Sequence, residues 1–171
     1  MASTIVLGIP IPSTNPYFLA IAGLHIAFGL SAVVAGLVAM LSRKARGRHS
    51  TFGTAYFWAL AGAFATMSLL SFVRWSDDYH LFILGSLSFA AACFGRHNIR
   101  RRRVRSHLAG MGTSYILMLT AFYVDNGMHL PLWDRLPQIA FWFLPGIIGL
   151  PLLAYYLVRL PKYKLSPRPI A

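Results

Sequence analysis

Charge on this chain is sorted along a hydrophobic ladder, and the sorting limits the possible folds more than any motif does. Fourteen of the sixteen Lys and Arg residues fall in three clusters, Arg43 to Arg48, Arg96 to Arg105 and Arg159 to Arg168, each beside the end of an apolar run. The four acids, Asp77, Asp78, Asp125 and Asp134, occupy the alternate breaks, where only Arg74 and Arg135 join them. Short loops rich in Lys and Arg stay in the cytoplasm. The pattern therefore reads as a multi-pass membrane topology in which the basic breaks and the C-terminal tail are inside and the N-terminus is outside.

Composition agrees, because 57% hydrophobic residues against 12% charged is far from a soluble domain. A hydrocarbon core of about 30 Å takes about 20 helical residues, and five runs meet that size: 17–41, 51–73, 79–99, 108–124 and 138–160. The third is apolar only from Leu81 to Gly95, so Tyr79, His80, Arg96 and His97 must complete the crossing by snorkelling, unless the helix is a buried central one. The expected fold is an all-α polytopic membrane helix bundle of five transmembrane helices, a single domain over 1–171 in the inner (cytoplasmic) membrane.

A formal charge of +12 also raises nucleic acid as a partner. The arginines of Arg100 to Arg103 stand instead where the positive-inside rule wants them, without interleaved stacking aromatics, so no nucleic-acid partner is expected. The first sixteen residues lack the basic start and cleavage site of a secretory signal. Cys93, the one cysteine, reads as a small packing residue inside the third run. No nucleophile and base pair, phosphate-cradling loop or structural-metal cluster is visible, so the reading leans away from an enzyme and expects no metal site apart from a haem.

A weak internal repeat is present. Gly53-Thr54-Ala55-Tyr56 and Gly112-Thr113-Ser114-Tyr115 each follow a basic loop and a histidine, His49 or His107, which implies two hairpins of the same orientation plus a fifth helix. Histidine is the usual axial ligand of a membrane b-type haem. Two layers of candidate haem ligands follow: His25 with His80 outside, His49 with His107 inside. His25 lies deeper than His80 by more than a turn, which weakens the outer layer. The alternative reading makes His49 and His107 interfacial residues at helix starts and His25 a core histidine bonded to a neighbouring helix. His25, Gly29, Ala32 and Gly36 share a helix face, a stripe of small residues that lets a second helix approach. Asp125, at the outer end of the stripe from His107 through Met111, Ser114 and Met118, is a candidate partner for His25 or His80; the other reading is a helix end capped by a left-handed Gly127. His97 and His129 are expected to be solvated.

Leu24-His25 with Gly29, Arg48-His49 with Gly53 and Tyr56, and the stretch from His107 through Tyr115 to Trp133 resemble an uncharacterised family of bacterial integral membrane proteins. The resemblance covers about Leu24 to Pro151 and implies a fold but no activity. Three functions remain, in this order: a non-catalytic accessory subunit packing in a larger membrane complex or homo-oligomer; a b-type haem or quinone-linked electron-transfer protein; and a small transporter. Transport draws on Pro145 and Pro151, which remove amides from the fifth helix near mid-membrane.

Overall fold

The computed structural model describes residues 4–6, 9–11, 15–43, 47–131, 133 and 135–159. Lys44, Arg46, Asp134 and the basic tail after Arg159, all used in the charge argument, lie outside the described residues. Thr4–Val6 (β1) and Ile9–Ile11 (β2) pair as a two-stranded antiparallel ribbon. Five helices follow: α1 (Pro16–Leu41), α2 (Arg48–Val73), α3 (Trp75–Arg100), α4 (Val104–Asn126) and α5 (Ala140–Arg159).

Each helix boundary has a local cause. The Asn15 side chain accepts from the Tyr17 amide at 2.9 Å and Pro16 supplies a preset φ, so α1 starts there. Gly47, at φ 114°, makes a backbone shape that a side chain resists and opens α2. Arg74 is the single residue between α2 and α3, and its guanidinium lies 3.0 Å from Asp77 and 3.7 Å from Asp78 in the first turn of α3. Those acids also suit the positive end of the α3 dipole. The α3–α4 turn runs through Arg102 at φ 58°. Gly127 is not the left-handed cap expected of it: with φ −55° and ψ −41° it continues into a short 3₁₀ turn, Gly127–His129.

Length and apolarity qualify α1, α2, α3 and α5 to cross a membrane. The third run gains its length from its polar ends, because α3 has 26 residues and includes Trp75 to Tyr79 and Arg96 to Arg100. At 1.5 Å per residue that is about 39 Å, ample for the hydrocarbon core. α4 is less apolar, since Ser114 and Thr120 are buried along it. Pro145 and Pro151 lie inside α5, which nevertheless runs as one helix.

α1 with α2 and α3 with α4 form the two closely packed pairs, α2 joins them through α3, and α1 meets α4 sparsely. α5 packs on α4. The centre holds Ala32, Ala35, Tyr56, Phe57, Leu60, Ala92 and Met118, with Phe52, Phe89, Met111 and Tyr115 against them. The small-residue stripe of α1 works at one end only. A Cβ on Gly36 would meet the Tyr115 ring, whereas a Cβ on Gly29 would meet nothing within 4 Å. Close approach at Gly29 is therefore not realised.

Candidate functional site

Each hairpin places a histidine in the same way. His49, in the first turn of α2, donates Nδ1–H to the Ala39 carbonyl of α1 at 2.8 Å. His107, in the first turn of α4, donates Nδ1–H to the Gly95 carbonyl of α3 at 2.9 Å. In both cases the histidine reaches back to the last turns of the preceding antiparallel helix. The carbonyl only accepts, so Nδ1 carries the proton and, in the neutral ring, the lone pair resides on Nε2.

The two rings come together between the hairpins, with centroids 6.4 Å apart and planes 88° from parallel. Both are half-buried. His107 is brought close to α3 by a glycine pair: a Cβ on Gly110 would lie 2.7 Å from Gly95 Cα, and one on Gly95 would lie 2.9 Å from the Met111 amide. Only two glycines facing each other allow this approach, which sets the Gly95 carbonyl within reach of His107.

Below the pair lies a buried polar layer from the two repeat motifs. Tyr56 Oη and Ser114 Oγ share a hydrogen bond of 2.7 Å, Ser88 Oγ donates to the Ser114 carbonyl at 2.8 Å, and Tyr115 Oη donates to the Val33 carbonyl at 3.0 Å. Tyr56, Ser88 and Ser114 are all buried. Sequence reading found the Gly-Thr-x-Tyr repeat without giving its tyrosines a role, and nothing in the sequence marked Ser88.

The outer candidates are arranged differently. His25 Nδ1 donates to the Ala63 carbonyl at 3.0 Å with the Thr66 hydroxyl 3.1 Å away, which ties α1 to α2. His80 packs on Tyr79 and on Trp142 of α5, at centroid distances of 5.6 and 5.8 Å. The fold thus turns His25 to α2 and His80 to α5. Asp125 is exposed at the end of α4, accepts from Asn126 Nδ2 at 3.1 Å, and stands within electrostatic range of His25, His80 and Arg74. His97 and His129 are exposed.

Among the described residues no group of three or more His, Cys, Asp or Glu could hold a metal ion. No curated protein and no solved structure matches the chain. The sequence profile of one family, described as Predicted membrane protein (DUF2306), matches residues 22–152, a stretch that holds all of α2, α3 and α4 and both histidine-bearing helix starts. This chain is a member of that family of membrane proteins, whose description assigns no activity.

Proposed function

We propose that this protein is a b-type haem protein of the cytoplasmic membrane that carries electrons, in which His49 and His107 would hold the haem. The observation that carries the reading is the ring pair at 6.4 Å. A haem held by two histidines needs both rings at one depth on neighbouring helices, and with each Nδ1–H committed to a carbonyl, Nε2 of each ring is the nitrogen that would bind it. The donor set fits as well. Two histidines alone are too few for a tetrahedral cation, but they are the donors that would hold a b-type haem. The carbonyl partner on each Nδ1–H is the support that fixes ring orientation and raises the basicity of a ligating imidazole.

In this reading all five helices cross, with the N-terminus outside. The basic breaks support that orientation, and α4 tolerates its polar residues because α3 and α5 flank it. The protein's own contribution is to hold two imidazoles at fixed tautomer and depth; a bound haem would supply one-electron chemistry. His25 is then structural, a pin between α1 and α2.

An absorption spectrum of the protein solubilised in mild detergent tests the reading. A Soret band that sharpens and shifts with dithionite, and that disappears in His49→Ala and in His107→Ala while His25→Ala keeps it, is the expected result. A colourless wild type that also fails to take up added hemin refutes it.

A second reading, an accessory subunit, draws on α5. This helix packs mainly on α4, with Trp142 against His80 of α3, and beside it an apolar groove of about 550 Å³ runs past Leu84, Ile116, Trp142, Ile147 and Leu150. Stoichiometric co-purification of a membrane partner, lost in Gly146→Trp, supports that role.

A further inference from the structure

Arg96 is out of place for a positive-inside arginine. It follows Gly95, whose carbonyl holds His107, yet it is half-buried, whereas Arg100, Arg101, Arg102, Arg103 and Arg105 are exposed. Side chains lean toward the N-terminus of their helix. On α3, whose first turn carries Asp77 and Asp78, Arg96 therefore leans away from its own basic loop and into the bundle. On α2, Phe57 leans the other way, toward the helix start that carries His49. The two meet with the Arg96 guanidinium carbon 4.5 Å from the Phe57 ring centre.

The Phe57 ring covers one face of the guanidinium but accepts none of its five in-plane N–H donors. Both ion pairs among the described residues belong to Arg74 at the far end of α3. The described acids, Asp77, Asp78 and Asp125, all lie at that far end of their helices. A half-buried guanidinium with stacked support and no carboxylate is costly unless an oxyanion meets it. The histidines that face each other stand on α2 and α4, and Arg96 occupies the adjoining α2–α3 groove at the same end of the bundle.

We infer that Arg96 is the anion-binding residue of the His49–His107 site and pairs with a carboxylate of the bound macrocycle. The inference rests on the haem reading and adds the part of the ligand that an imidazole pair cannot select. A charged fork on a carboxylate is worth about tenfold or more in affinity. It also favours the oxidation state with more negative charge, so losing Arg96 lowers the midpoint potential.

Binding of hemin and of hemin dimethyl ester to the full chain in detergent tests this, using wild type, Arg96→Gln and Arg96→Lys. Wild type is expected to prefer the free acid by about tenfold, Arg96→Gln to lose that preference with its Soret band intact, and Arg96→Lys to keep part of it. An equal preference for the acid in wild type and Arg96→Gln overturns the inference and leaves the histidine site standing. Wild type that binds acid and ester alike, while Arg96→Gln sheds a co-purifying anionic phospholipid, overturns it in favour of a lipid phosphate. Failure of wild type to bind either compound overturns the haem reading itself.

Discussion

The Gly95–Gly110 crossing is where one methyl group should tell most. In Gly110→Ala the new Cβ would meet Gly95 Cα at 2.7 Å, Gly95 N at 2.7 Å and the Ala91 carbonyl oxygen at 2.8 Å. Ordinary contacts of a methyl carbon are about 3.5 to 4 Å, so α3 and α4 must part by about 1 Å. All three obstacles are backbone, and no side chain can rotate away. Overpacking of this kind costs about 1–3 kcal/mol. Parting the helices also stretches the 2.9 Å bond from His107 to the Gly95 carbonyl. Gly29→Ala is the matched control, because its Cβ meets nothing within 4 Å and the change relieves a helix-interior glycine, worth up to about 1 kcal/mol. Reversible unfolding in mixed micelles reads both. The expected order is Gly110→Ala below wild type and Gly29→Ala at or above it. Equal loss in the two variants would falsify the argument from backbone contact at this crossing.

Three further outcomes are expected. Tyr56→Phe removes the 2.7 Å bond to Ser114 from a fully buried layer; the loss in the same micelle assay is about 0.6–1.7 kcal/mol, and no change would mean that Ser88 satisfies Ser114 alone. Phe141 is wholly buried against Tyr123 and Gly127, so Phe141→Ala should cost about 3–5 kcal/mol and loosen the α4–α5 connection, seen as faster proteolysis between Gly127 and Ala140. Single cysteines in a Cys93→Ser background should label with a membrane-impermeant maleimide from outside intact cells at Ser76 and only after permeabilisation at Ser106; the reverse pattern would invert the orientation.

Features of this protein that depend on solvent and local chain chemistry were legible before any contact between helices was known. Apolar runs that need lipid, polar breaks that cannot enter it and the Asn15-Pro16 start are local properties, and they fix where helices can begin and end. The repeated histidine followed by Gly-Thr-x-Tyr marked two similar hairpins, because each needs the same backbone contact at its second helix start. Periodicity misread one glycine of the α1 stripe. Gly29 and Gly36 lie on one face by arithmetic, yet of the two only Gly36 meets a neighbour, the rings of Tyr115 and Tyr56, which come from other helices. Gly127 was open to a left-handed cap, and the Phe141 ring packed against it belongs to a helix that starts after the connection. Partnerships between helices were decided by tertiary structure alone. Depth along the chain already favoured His49 beside His107 over His25 beside His80, but it is rotation about each helix axis that sends His25 to Ala63, His80 to Trp142, and the inner pair to each other. That rotation follows from which small residues pack, Gly95 on Gly110 above all, and contacts between residues far apart in sequence leave no trace in the pattern of either helix.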